Sequence, residues 1–311
     1  MAFLVSPGVE IKEVDATNVI PAVSSSIGGF AGSFNWGPTE EVVLVSSENE
    51  LAEKFGSPDA NTAKYFLTAA SFLKYGNALK VVRASSGHLN ATHLGNGQLV
   101  KNEDDYDNNH STGISGKGNW VAKYPGVLGN SIQVSMVTAG VSTSNYNAWT
   151  FKGSFAEKPG TSDFAKGLGK TSAADELHVA VVDRLGAISG TPNTVLETFE
   201  FLSQGSDAKK ADGTTNFYKE VINSQSEWIY WANHDSSLTD AGETVASQAG
   251  AMTTNTAVID NNLSGGTDDN APTTGELALA YDKFEDAETV DVNLLFAVPD
   301  ANGANTIAND L

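Results

Sequence analysis

A chain of 311 residues with 18 basic and 38 acidic side chains carries a formal charge of −20. Such a surface repels nucleic-acid phosphates and anionic lipid, which excludes both as direct partners. There is no cysteine, so disulfides, thiolate zinc sites and cysteine nucleophiles are excluded together.

The length suits two domains, with ample surface to bury and no need of a metal to stay folded. The first residues, Met1 to Gly8, lack a basic region and a sustained apolar core, so they do not read as a signal peptide. No apolar run nears the ~20 residues that span a bilayer. A soluble protein made in the cytoplasm is expected.

Residues 1–21 read as an extended arm. Phe3 and Val5, then Val9 and Ile11, recur at period two around Pro7-Gly8, with Glu10 and Lys12 on the other side. An arm this short cannot bury its apolar side alone. It either docks as an edge strand on its own domain or is donated to the open sheet edge of a neighbour.

Residues 22–84 read as a compact α/β (α+β mixed) layered unit. Val23 to Phe34 suits a buried strand, closed by the turn Asn35-Trp36-Gly37-Pro38, and a second strand follows at Glu41–Val45. Ser47-Glu48-Asn49-Glu50 is a capping-box pattern that opens a short helix. A second helix is expected from Asn61 to Tyr75, with Ala63, Phe66, Leu67, Ala70 and Leu73 on its apolar face and Gly76 as terminator. Leu79–Ala84 is then a core strand. The order strand, strand, helix, helix, strand predicts layers.

Residues 85–118 are polar, with Glu103, Asp104, Asp105 and Asp107 clustered, and read as a surface insertion or long loop. Order returns at Trp120, and Ile132–Val137 is a clear strand. To about residue 270 the pattern is β-rich: Leu177–Asp183 and Thr194–Phe201 form a hairpin, Phe217–Ile222 gives a helical turn or two, and Trp228–Ala232 and Thr256–Ile259 are short strands. Thr273-Thr274-Gly275-Glu276 is a second capping box, opening a helix with Leu277, Ala280, Tyr281 and Phe284 on one face. Val290–Val298 is the strongest buried-strand candidate. A further helix begins at Asn305, and the sequence reads as a fragment of something longer.

No constellation for catalysis survives. Gly167-Leu168-Gly169-Lys170-Thr171 lacks the earlier glycine of a phosphate loop, since Phe164 stands there. The run from Glu103 to Asn109 fails as a calcium loop, with His110 and Gly116 where Gly and Glu are needed. The five histidines, His88, His93, His110, His178 and His234, show no metal or nucleophile spacing. Asp268 and Asp269 are adjacent loop acids of the solvated kind. No catalytic, cofactor or metal residue is assigned.

Four blocks resemble the contractile-tail sheath proteins of the T4-like myoviruses, in family order. They are Ser6-Pro7-Gly8-Val9-Glu10-Ile11-Lys12-Glu13; Gly32 to Pro38, with Phe55-Gly56 and Tyr75 to Ala84; Lys123-Tyr124-Pro125-Gly126-Val127-Leu128-Gly129-Asn130; and Leu263-Ser264-Gly265-Gly266 with Val290-Asp291-Val292. The resemblance is strongest over residues 6–84 and loose over 140–255.

That resemblance implies a discontinuous inner domain, residues 22–84 with 286–311, and an inserted β-rich outer domain, residues 119–285. The segment 85–118 replaces a larger protruding domain of some relatives. It also implies a structural role without cofactors. Copies polymerise as a helical stack of hexameric rings around a tail tube, then contract to drive the tube through the host envelope. The implied partners are other copies, the tube protein, and baseplate and terminator proteins; the implied place is the virion, after assembly in the host cytoplasm. Phe3, Val5, Val9, Ile11 and Val14 are then the strand donated between subunits. Two other readings are a sheath of a related injection device (type VI secretion or pyocin-like) and a β-rich surface-binding module using Trp228 and Trp231. Two aromatics three apart on a strand face opposite ways, which argues against the latter.

Overall fold

The computed structural model describes residues 26–84, 87–286, 288 and 290–298. In chain order the strands are β1 (Gly28–Gly32), β2 (Val42–Val45), β3 (Leu79–Arg83), β4 (Trp120–Ala122), β5 (Ile132–Thr138), β6 (Glu176–Asp183), β7 (Thr194–Ser203), β8 (Ile229–Trp231), β9 (Ile259–Asn262) and β10 (Leu294–Leu295). The helices are α1 (Glu48–Phe55), α2 (Ala63–Leu73), α3 (Glu103–Asn109), α4 (Thr143–Ala148), α5 (Asp163–Gly167), α6 (Tyr218–Gln225) and α7 (Thr274–Tyr281). The mixed α/β class expected from the sequence is what the structure shows.

An inner sheet runs β10-β1-β3-β2, with β1 parallel to β3 and β10, and β2 antiparallel to β3. Helices α1 and α2 cover it on one side, and α7 packs on β1 and β3. The core joins Phe30, Phe34, Leu51, Phe55, Tyr65, Phe66, Leu79, Val81 and Val82 to Leu277, Tyr281 and Phe284. Sequence-distant pieces therefore build one layer. The helix at 274–281, counted by sequence with the outer span 119–285, belongs instead to this inner core.

β1 is glycine-rich for a packing reason. A Cβ on Gly28 would lie 2.7 Å from the Phe72 ring, and one on Gly32 would lie 2.7 Å from Tyr65. The absent side chains let α2 lie against the strand. This also turns the helix from its expected face: Tyr65, Phe66, Ala69 and Ala70 are buried, while Leu67 is 57% exposed. Phe296 adds a stacked series, with ring centroids 5.1 Å from Phe30 and 5.3 Å from Phe72.

Both cap patterns form, but differently. Thr273 and Glu276 make the full reciprocal box. Ser47 Oγ accepts from Glu50 N, while the Glu50 carboxylate turns back to Ser46 N and Oγ instead of Ser47 N. Val290–Val298 departs furthest from expectation. Only Leu294–Leu295 pair with β1, and both are well exposed, at 48% and 37%. Among the described residues β10 has one neighbouring strand, which leaves the two leucines half in solvent.

The segment 85–118 is not the loose surface loop its polarity suggests. Asn102 caps α3 by accepting from Asp105 N, and the acids of its first turn oppose the helix dipole. One apolar face suffices: Tyr106 packs with Val100, Ile114 and Tyr230, its ring stacked 4.1 Å from Tyr230. The Tyr106 hydroxyl donates to Trp231 O at 2.7 Å.

The outer sheet is antiparallel, ordered β7-β6-β5-β9. It packs on α6 and on the ribbon β4-β8 through Trp120, Ile132, Val134, Leu177, Val179, Ile222 and Trp231. One of two irregularities in the β6–β7 pairing is a bulge where Leu177 pairs with Leu202 and Val179 with Phe199, so His178 faces two residues. Phe201 there has φ +53°. Its N–H donates to His178 Nδ1 at 3.0 Å, and His178 Nε2 meets Glu157 O at 2.8 Å. The imidazole thus replaces a missing ladder partner and must be the neutral tautomer with Nε2 protonated.

Two measurements follow from these contacts. Gly32→Val should overpack the α2 side and lower stability by roughly 1–3 kcal/mol in denaturant unfolding; an unchanged midpoint would contradict the close approach. Burial holds His178 below the ordinary imidazole range, with its bond to Glu157 O opposing. A base depressed in the folded state contributes stability that is complete above about pH 6.5 and is lost as the pH falls through its folded value. Nitrogen NMR at pH 6.5 should show a neutral His178 with a proton on Nε2; a ring protonated at Nδ1 would refute the assignment.

Candidate interaction surfaces

Arg83 ends β3 inside the protein, with no exposed surface. Its Nη1 donates to Gly37 O and to Pro125 O, each at 2.8 Å. One nitrogen thereby ties the turn after β1 to the segment after β4. Among the described residues Nε and Nη2 have no hydrogen-bond partner. Burial pulls the guanidinium down to about 9, and Asp268 acts in the opposite sense. Gly126 completes the seam at φ +137°, where a Cβ would lie 2.9 Å from both Asn35 O and Asp268 Oδ1. The Asp268 carboxylate accepts from Val127 N at 2.7 Å.

Beside this seam runs a groove of about 750 Å³ between β2 and α1 on one side and Lys123, Tyr124 and Trp228 on the other. Its apolar wall is Trp36, stacked 5.3 Å from Trp228 and set edge-on 5.5 Å from Tyr124. Its rim carries Glu41, Glu50, Glu53 and Glu227 against Lys54 and Lys123. Both lysines are committed internally: Lys54 Nζ lies 2.8 Å from Glu50 and donates to Leu44 O, and Lys123 Nζ donates to Ser226 O at 2.6 Å. Burial, followed by repulsion from Asp104 and Glu103, raises the Glu41 carboxyl. Burial likewise raises Glu197, against the bonds it accepts from Ser226 and Glu227 N.

Among the described residues the inner sheet ends at β2 and at β10. At β2 the outward carbonyl of Leu44 is taken by Lys54, which blunts that edge. At the other edge β10 exposes Leu294 and Leu295. The arm residues Phe3, Val5, Val9, Ile11 and Val14 lie outside the described residues.

The remaining candidates for chemistry have structural roles. Gly167 closes α5, so Gly167-Leu168-Gly169 follow a helix instead of opening one and cradle no anion. The acids at 103–107 form the first turns of α3, where Asp105 accepts from Lys101 N and Asn109 Nδ2. Asp269 accepts from Gly87 N. Trp231 is buried at 4% exposure while Trp228 packs on Trp36, so the two make no shared platform for a glycan. Among the described residues no group of His, Asp or Glu is placed to hold a metal, and no helix is long and apolar enough to cross a membrane.

Sequence reasoning missed both the seam and the groove. The one available signal was a lone arginine closing the apolar run Leu79 to Ala84. Arg83→Ala should leave Gly37 O and Pro125 O unpaired and cost on the order of 2–4 kcal/mol in chemical unfolding; a loss below ~0.5 kcal/mol would mean that water replaces the guanidinium.

Comparison with known proteins places residues 26–84 in the tail sheath protein Gp18 domain III N-terminal region. The chain is 32% identical over 199 residues to the tail sheath protein of Salmonella phage ViI, covering 62% of this chain and 28% of that protein. It is 44% identical over 81 residues to the tail sheath protein of Enterobacteria phage T4, covering 26% of this chain and 12% of that protein. Among solved structures it is similar to the sheath tail protein of Listeria innocua at 14% identity and a TM-score of 0.45, covering 91% of this chain and 42% of that one. The matched stretches thus span well under two thirds of these relatives' lengths. The chain is similar to phage tail sheath proteins, with the family match lying over residues 26–84.

Proposed function

We propose that this chain is a structural subunit of a contractile bacteriophage tail sheath, acting by polymerisation and without catalysis. The observation that carries this reading is the coincidence of the family match with a folding unit. Residues 26–84 supply β1, β2, β3, α1 and α2, a layer whose helices and sheet are packed around an apolar core. The similar tail sheath proteins of Salmonella phage ViI, Enterobacteria phage T4 and Vibrio phage KVP40 favour a phage tail over other injection devices.

The subunit assembles with copies of itself in stacked hexameric rings around a tube, as part of the virion. Contraction repacks many small contacts per subunit, so that the work is done by interfaces and no cofactor is called for. The inner domain is completed from both ends of the described chain, and the outer domain is the span carrying β4 to β9. Tube, baseplate and terminator proteins are its further partners. The arm carrying Phe3, Val5, Val9, Ile11 and Val14 adds a strand to a neighbour, since backbone pairing can bind two strongly acidic copies without opposite charge.

Negative-stain electron microscopy of the full-length protein at high concentration tests this directly. Striated tubes or stacked rings are expected, and removal of residues 1–20 should abolish them while leaving a folded monomer. Protein that stays monomeric with tube and baseplate components present would overturn the proposal.

A further inference from the structure

Resting on that polymeric reading, we infer that the aromatic, acidic groove around Trp36 and Trp228 is the docking site for the lysine hairpin Lys209–Lys210 of a second copy. Lys209-Lys210 is the one place in the chain where two basic residues adjoin. It sits on a tight hairpin closed by Lys209 pairing with Thr215 and by Lys210 N donating to Thr214 O. Residues 209–214 are all exposed. The tip borders a cleft holding Glu157, Glu176 and Glu200 beside Lys158 and Lys166. Even so, neither tip lysine forms an ion pair among the described residues. Asp212, across the turn, offsets one of the two charges.

The groove is complementary. Glu41, Glu53 and Glu227 have no ion-pair partner among the described residues, because Lys54 and Lys123 are turned to their own contacts. The half-buried rings of Tyr124 and Trp228, backed by the buried Trp36, lie below carboxylates and favour an ammonium group on an alkyl stem, which packs over rings while its charge meets the rim. The tip cannot reach its own groove. Glu197 touches Glu227 at one end of β7, and the hairpin leaves the other end after Ser203, on the order of 20 Å away. A contact between two different ends of the same molecule is head-to-tail, the kind that generates a ring or an open helix instead of a closed pair.

The absence of native cysteine permits a clean test in the full-length protein. Lys210→Cys and Glu53→Cys are placed singly and together, and each protein is oxidised under assembly conditions. The double variant should give a disulfide-linked ladder, an equal mixture of the two single variants should stop at dimers, and each single variant alone should stay unlinked. Charge reversal supplies the second readout. Lys209→Glu with Lys210→Glu should raise the concentration needed for assembly roughly tenfold, and Glu53→Lys with Glu227→Lys in the same chain should restore it. Assembly without a ladder and indifferent to reversal overturns this contact alone. Groove reversal that blocks assembly while hairpin reversal does not assigns the groove to another protein's basic segment and also overturns it. Wild-type protein that never assembles overturns this inference together with the sheath reading.

Discussion

A single buried guanidinium holds the two halves of the molecule in register. Arg83 sits where the last strand of the first layer meets the segment that leads into the outer sheet, and its Nη1 bridges carbonyls from both. Moving a cation out of water is costly, and a mobile seam would flood it, so the site persists only if the surrounding backbone stays closed. Gly126 lets that backbone approach, and Asp268 supplies the opposing charge. The groove inherits its shape from this seam, because Trp36 and Tyr124 flank the turn and the strand exit that Arg83 joins.

The strongly negative charge is distributed in a consistent way. Where acids crowd, as around Lys123, burial and mutual repulsion raise carboxyls instead of lowering them. Acids that build loops, such as the exposed Asp59 and the buried Asp183, are held low by backbone amides and hydroxyls against the desolvation that would raise them. Among the described residues few charges are spent on internal ion pairs, which leaves most of their field available to act between molecules within a Debye length of about 8 Å at physiological salt.

Much of the fold was legible in the sequence because its signals were local. Ile132–Thr138, Glu176–Asp183 and Thr194–Ser203 announce themselves as apolar or alternating runs, and the Thr273 cap fixes the start of α7. The departures arise where tertiary packing outweighs pattern. Helix α2 turns Leu67 outward because the rings of Tyr65 and Phe72 fit over glycines in a strand more than thirty residues earlier. α3 hides in a polar segment because one buried tyrosine and an asparagine cap suffice for two turns. The groove was illegible for the same reason: Trp36 and Trp228 lie far apart in sequence, and neither neighbourhood hints at the other.

The inner sheet also imposes an order on synthesis. β1 is paired on one side by β3, close behind it, and on the other by β10, which arrives only when Leu294 has been made. At roughly 5–20 residues per second a ribosome takes on the order of tens of seconds to travel that distance. Throughout that interval the glycine-lined strand lacks its β10 partner, and the aromatic cover of Phe30 from Phe296 is missing. The intervening span therefore acts as a clock: the nascent chain can pair β10 with β1 only well after the β7-β6-β5-β9 sheet has had time to fold.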